Sequence, residues 1–320
     1  MKPEAMLAKC RREQWRADDL DWQATPRALD RADELAIVQY FTDMAGIERL
    51  AGALFAEQRR RVHDPVLKKI FATFVVDEER HAEVAERLAR FYDVHHYRAY
   101  RTNEHLERFR PHFVRAIRFL SPEIANAYIT TGELVLDIAL LRSIDDFVRD
   151  DMSHRAMELI NRDESRHIAV DFHMVGYYAS PAYRAALAAE ARPLAERVRG
   201  TLALARMMFH AAPFFRDVFF APMDLCDPSG KRMREAFKRV QLLASKPGVA
   251  ERPFTRFIRS LQLVFNHPLA GPVLGKAVAR VVGVDPRVLV ELASDEEKAR
   301  VATLSFDALA DEALAAKYEG

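Results

Sequence analysis

The chain has 320 residues, half of them hydrophobic, and a net charge of +1. That length can bury a large core, and the balance of 48 basic against 47 acidic side chains makes no electrostatic case for nucleic acid. Cys10 and Cys226 are isolated, which excludes a disulfide framework and suits a reducing cytoplasmic setting. The first ten residues lack the apolar centre of a secretory signal, and no uninterrupted apolar run reaches the ~18 residues of a membrane span.

Glycine is scarce and no period-2 strand pattern is sustained, so the elements read as helices throughout. Residues 1–30 read as an N-terminal arm that Trp15 and Trp22 could dock. Helices are predicted over 31–62 and 65–93, the second opening at Asp64-Pro65, a cap residue followed by Pro at the first helical position. A shorter helix near 104–118 carries the chain across to two more, over 122–150 and 152–179. Ser121-Pro122, Ser180-Pro181 and Asp227-Pro228 repeat the cap signal. A helix over 182–218 with a kink at Pro193 follows, then segments at 228–245, 252–266 and 270–283, then short helices. The reading is all-α: the arm, a bundle over 31–180, and a helical extension over 181–320 that covers it, in one domain.

A phrase occurs twice on this frame. Asp77-Glu78-Glu79-Arg80-His81 and Asp163-Glu164-Ser165-Arg166-His167 both read D-E-x-R-H. Glu48 precedes Glu78 by 30 residues and Glu133 precedes Glu164 by 31. On a helix, residues three apart share a face, so Glu78 with His81, and Glu164 with His167, can reach one cation. A single helix cannot close a coordination sphere, and Glu48 and Glu133 are placed to complete it from neighbouring helices. One Glu from each of two helices and Glu-x-x-His from each of two others is the ligand set of a dinuclear site in a four-helix bundle. The acids also interrupt apolar stripes: Phe71, Phe74 and Val75 run into Glu78, and Met157 and Ile160 into Glu164. Burying a carboxylate is costly unless it is paired or bound to metal. The mixed oxygen and nitrogen donors suit iron or manganese better than structural zinc.

The repeated phrase resembles those of the ferritin-like di-iron carboxylate superfamily over roughly residues 31–180. It is similar to the phrases of acyl-carrier-protein desaturases, p-aminobenzoate N-oxygenases, tRNA-modifying di-iron hydroxylases and rubrerythrins. The resemblance implies a ferritin-like four-helix bundle with a bridging helix and a C-terminal helical cover. It implies Glu48, Glu78, His81, Glu133, Glu164 and His167 as ligands of two iron ions, or of manganese with iron, and O2 as co-substrate. Asp77 and Asp163 would then orient the ligand imidazoles in a cross pairing, Asp77 with His167 and Asp163 with His81, while Arg80 and Arg166 balance their charge. An oxygenase or oxidase acting on a small organic substrate, served by an external electron donor such as a ferredoxin or reductase, is the implied activity. A homodimer is compatible with it. Alternatives are a ferroxidase or iron-handling protein, a ligand-binding manganese–iron oxidase, and a non-catalytic metal-stabilised scaffold. The family patterns match only in part. Ile160 stands where the N-oxygenases place a third His, and Ala85 where ribonucleotide reductase subunits carry a radical Tyr. Tyr128 matches a Tyr of the ligand-binding oxidases, and the desaturases have longer ligand spacings than this chain.

Further candidates follow from helical position. Asp137 lies one turn beyond Glu133 and Asp171 one turn beyond His167, both as proton relays or paired core acids. Thr130, one turn before Glu133, either bonds a ligand or back-bonds to its own helix. Gly46, Ala51, Gly52 and Ala53 thin the first helix beside Glu48, for substrate or for close packing. Met207, Met208, Phe214, Phe215, Phe219 and Phe220, with His210, either roof an apolar pocket or belong to an ordinary core. His154, His173 and His210 have little claim as additional ligands.

Overall fold

The computed structural model describes residues 1–189, 193–275, 277 and 286–316, and among them every regular element is helical. The arm begins with a helix the sequence reading did not anticipate, α1 (Pro3–Arg12), with Pro3 at its first position. Next come α2 (Arg31–Arg61) and α3 (Pro65–Tyr92), packed along their lengths as an antiparallel pair. Asp30 caps α2 by accepting from Asp33 N, and Asp64 caps α3 by accepting from Val66 N and Leu67 N at 2.7 and 2.9 Å.

The crossover helix α4 (Glu104–Ile117) packs on α2. Its last carbonyls are met by a side chain: the Arg61 guanidinium donates to Ile117 O, Arg118 O and Leu120 O. The 122–150 helix is in three parts: α5 (Pro122–Val135), a π-helical stretch at Leu136–Leu140, and α6 (Leu141–Val148). The i→i+5 bond Leu141 N to Leu136 O marks the extra residue, just after Glu133. Arg149, in the left-handed region at φ 51°, ends this run, and Asp150 caps α7 (Asp151–Ala179). Gln58 ties three of these helices, donating to Pro122 O at 2.8 Å and accepting from Tyr178 Oη at 2.7 Å. By length and composition Pro122–Val148 could cross a membrane, although Glu133, Asp137 and Arg142 break its apolar run. Within the protein 72% of its apolar window is buried, as befits a core helix.

Beyond residue 180 the single kinked helix gives way to two, α8 (Pro181–Ala189) and α9 (Leu194–Phe214), with Pro193 as the N-cap of the second. A second π-helical stretch, Phe215–Phe220, leads into α10 (Ala221–Cys226). Asp227-Pro228 starts a turn rather than a helix. Gly230 N donates to Asp227 O, Gly230 takes φ 63°, and α11 (Lys231–Ser245) begins only there. After α12 (Pro253–Asn266) comes a short π-helical turn at Gly271–Gly275. Apart from Ala277, the rest of the segment expected at 270–283 lies outside the described residues. Helices Pro286–Leu289, Asp295–Thr303 and Phe306–Ala316 complete the chain, the last against α7. The extension therefore covers part of the bundle: α11 lies on α5 and Phe306–Ala316 on α7, while α9 lies on the crossover helix α4.

Candidate metal centre

Four helical segments bring six side chains together. Glu48 comes from α2, Glu78 and His81 from α3, Glu133 from α5, and Glu164 and His167 from α7. All six are buried. They form two donor groups, Glu48–Glu78–His81–Glu164 and Glu78–Glu133–Glu164–His167, with the donor atoms of each within 4.8 Å of one another. Glu78 and Glu164 belong to both, the position of carboxylates shared between two cations. His81 Nδ1 lies 3.1 Å from Glu164 Oε1, and His167 Nδ1 lies 3.0 Å from Glu164 Oε2 and 3.2 Å from Glu78 Oε1.

The rest of each imidazole is fixed from behind. Asp163 Oδ2 stands 3.2 Å from His81 Nε2, and Asp77 Oδ2 stands 3.4 Å from His167 Nε2. Each aspartate thus reaches the histidine of the other phrase. A proton held on Nε2 by the aspartate leaves Nδ1, which faces the carboxylates, as the lone-pair donor. Arg80 bonds both Asp77 and Asp163, and Arg166 bonds Asp163 at 2.5 Å and lies 3.6 Å from Asp77. Burial works against the ionised aspartates, but the imidazoles and guanidiniums outweigh it and hold both carboxyls below their ordinary range.

The arm completes this layer, which sequence reasoning missed in its particulars. Trp15 Nε1–H donates to Asp163 Oδ2 at 2.8 Å, and its ring lies under the Arg80 guanidinium at 4.9 Å. Gln14 donates to Asp77 Oδ1 at 3.0 Å and accepts from Arg80 at 2.9 Å, while Glu13 accepts from Arg166 at 3.1 Å. The two tryptophans did signal a docking arm; nothing in the spacing tied Gln14 or Glu13 to a phrase some 60 to 150 residues away.

The carboxylates of the two donor groups, Glu164 apart, are shifted the other way. Both oxygens of Glu48 and of Glu78, Glu133 Oε2 and Glu164 Oε1 receive no hydrogen bond, nor does His81 Nδ1 donate one. Burial, followed by mutual repulsion, raises Glu48, Glu78 and Glu133 above the ordinary carboxylate range. Glu164 alone is lowered; burial opposes this, but His167, Glu133 and His81 outweigh it. Burial also opposes protonation of His81 and His167, yet their carboxylate neighbours hold both well above the imidazole range. Buried polar atoms without a hydrogen-bond partner are rare and costly, and six such oxygens lie among the two donor groups. The donor set therefore fits two oxygen- and nitrogen-ligated cations.

The other candidates divide. Asp171 is fully buried, neither of its oxygens has a hydrogen-bond partner, and burial raises it well above the carboxylate range. Asp137 is buried inside the π-helical stretch and belongs to neither donor group. The Thr130 hydroxyl donates to Asn126 O at 2.7 Å, the back-bond to its own helix. Gly46 and Gly52 leave no substrate space: a Cβ at Gly46 would meet Leu106 at 2.8 Å, and one at Gly52 the Glu78 Cβ at 3.3 Å. They are packing glycines. Phe214 and Met207 lie in the core, whereas Met208, Phe215, Phe219 and Phe220 line a cavity between α5 and the extension. His154 pairs with Asp145, His210 stacks on His112 at 4.5 Å, and neither these nor His173 joins a donor group.

Comparison of the chain with protein-family models, curated proteins and solved structures finds no match.

Proposed function

We propose that this protein is an O2-dependent non-haem dimetal oxygenase or oxidase acting on a small organic substrate, built as a ferritin-like four-helix bundle of α2, α3, α5–α6 and α7. The observation that carries the reading is the pair of buried four-donor groups sharing Glu78 and Glu164, in which six of the eight carboxylate oxygens lack hydrogen-bond partners. Glu48, Glu78, His81, Glu133, Glu164 and His167 would hold two iron ions, or manganese with iron, and those ions when bound supply the two electrons that O2 chemistry requires.

The chain's own groups have definable parts in this. Asp77 and Asp163 keep Nδ1 of His167 and His81 available as donors, and Arg80 and Arg166 keep those aspartates ionised. Carboxylate neighbours raise both imidazoles, and burial raises Glu48 and Glu133, so metal loading is expected to release protons. Burial beside the Glu164–His167 pair raises the Asp171 carboxyl well above the ordinary range and leaves both its oxygens without a hydrogen-bond partner, which suits it to be a proton donor at that end of the site. Phe55 and Phe74 cover His167, with ring centroids at 5.0 and 4.1 Å, and exclude water from it. An external electron donor and a cytoplasmic setting belong to this proposal.

The test is anaerobic loading with ferrous iron, removal of excess metal, then an O2 pulse. About two metals per chain, followed by O2 consumption within seconds and a new near-ultraviolet to visible absorption, is the expected outcome. Full metal loading without O2 consumption, with any reductant, would leave the scaffold reading in its place.

A further inference from the structure

A cavity of about 590 Å³ lies between α5 and the C-terminal extension. Among the described residues its walls include Ala127, Gly132 and Val135 of α5, Phe215 and Phe219 of the π-helical stretch, and Val240 of α11. Its size falls in the range of small-molecule sites. The charged groups around it are mostly committed to one another: Arg252 pairs with Glu123, and Lys298 with Glu291 at 2.6 Å. Several polar wall groups are engaged too. Gln241 donates to Val290 O and accepts from Leu292 N, both at 2.8 Å, and Tyr128 Oη donates to Met208 Sδ at 3.6 Å. Arg259 is exposed to solvent. What faces the empty volume is mainly hydrocarbon and aromatic surface.

Gly132 adjoins Glu133 in the chain and lines this cavity. Glycine inside a helix costs about 0.5–1 kcal/mol relative to alanine. At Gly46, Gly52, Gly176 and Gly200 close packing accounts for it, since an added Cβ would meet a neighbour at 2.8 to 3.3 Å. At Gly132 a Cβ meets nothing within 4 Å. The missing side chain therefore relieves no contact inside the protein, and the room it leaves belongs to the cavity.

We infer that this cavity is the chamber for the organic ligand, that the ligand is an uncharged, predominantly apolar molecule, and that Gly132 sets the size admitted beside Glu133. The ligand's conversion rests on the dimetal reading; its binding does not. A ligand seated here lies against the α5 segment that carries Glu133, on the side of the site that also holds Asp171, and away from Glu48 and the tightly packed α2.

The test is a fluorescence titration of metal-free and iron-loaded protein with N-phenyl-1-naphthylamine, a neutral apolar probe. Wild type should bind about one probe per chain. Gly132→Ala should weaken binding slightly, and Gly132→Phe by at least about tenfold, because the ring takes the ligand's volume. Ala127→Leu fills the same chamber from another wall position and carries the test should Gly132→Phe not fold. Dodecanol and dodecanoate then compete for the bound probe. Displacement by dodecanol at least as strong as by dodecanoate supports the uncharged class; a tenfold preference for dodecanoate overturns it. Probe binding by the filled variants equal to wild type, or no stoichiometric binding by wild type, overturns the chamber. Wild type that binds the probe but retains no iron sinks the dimetal reading alone, and the chamber stands.

Discussion

The two halves of the candidate site have nearly the same ligands and very different surroundings. Glu48, Glu78 and His81 on α2 and α3 correspond to Glu133, Glu164 and His167 on α5 and α7. Around the first set the matching positions are small or apolar: Ala45, Ile47, Gly52 and Ala85. Around the second they are Thr130, Gly132, Asp137 and Asp171. The first half is closed, with Gly46 and Gly52 drawing Leu106 and Glu78 in, on two uninterrupted helices. The second half has a π-helical stretch directly after Glu133, an unpartnered buried acid and a cavity alongside. Metal ligation demands like donors from both halves. Under the proposed function, proton delivery and ligand access need to be provided on only one side, and the polar and open positions gather on the second.

The largest effects should be the same in both halves, since each supplies an anionic ligand. Glu48→Ala and Glu133→Ala should each lower bound iron from about two to about one per chain and abolish O2 consumption, with helicity retained. Metal analysis with circular dichroism checks this; full iron loading in Glu48→Ala would break the symmetry of the ligand set. Next comes the asymmetry. Asp171→Ala gives the second half the first half's residue, Ala85, at this place. It should keep both metals yet slow O2-dependent turnover by ~10²-fold, as loss of a positioned proton donor does. An unchanged rate and pH profile would reduce Asp171 to a core acid.

Smaller effects lie in the layer behind the ligands. Asp77→Ala and Asp163→Ala should weaken metal retention by ~10–100-fold, because a ligand imidazole loses the group that orients it. Trp15→Phe keeps the ring over Arg80 but removes a hydrogen bond to an ionised carboxylate, a loss of about 1.5–3 kcal/mol in unfolding free energy. Chemical denaturation of both sets, with and without iron, separates orientation from plain stability. The mildest effect belongs to the closed half. Asp43 accepts from Asn103 N at 2.6 Å ahead of α4, and burial raises its carboxyl to about 6. A carboxyl whose folded-state value is raised stabilises the protein below its unfolded value and loses that stabilisation as pH rises through the folded one. Asp43→Asn should therefore gain ~1–3 kcal/mol relative to wild type between pH 4 and pH 7, with no change in iron content.

The helical frame and the clustering of the six Glu and His side chains were legible because both rest on periodicity. Asp30, Asp64 and Asp150 sit where caps belong, and a Glu-x-x-His pair must share a helical face whatever packs against it. The open side of the site was not legible. Small residues beside Glu48 suggested space, but a glycine in sequence does not say whether a neighbour or a void lies above it; Leu106 fills Gly46's place and nothing fills Gly132's. The π-helical stretch at Leu136–Leu140 adds a residue to a turn without changing composition, so periodicity passed over it. Arm contacts such as Gln14 with Asp77 are long-range pairings that no local pattern encodes. The turn at Asp227-Pro228 shows the remaining weakness, since Asx-Pro opens turns as readily as helices.

The most direct measurement of the central claim is a stoichiometric ferrous titration of metal-free protein, followed by iron content per chain and by Mössbauer spectra before and after O2. Two iron ions per chain, magnetically coupled after oxidation, with half that content in Glu133→Ala, is the result this account predicts. Retention of less than one iron, or two uncoupled irons whose binding survives Glu133→Ala and Glu48→Ala alike, would contradict it.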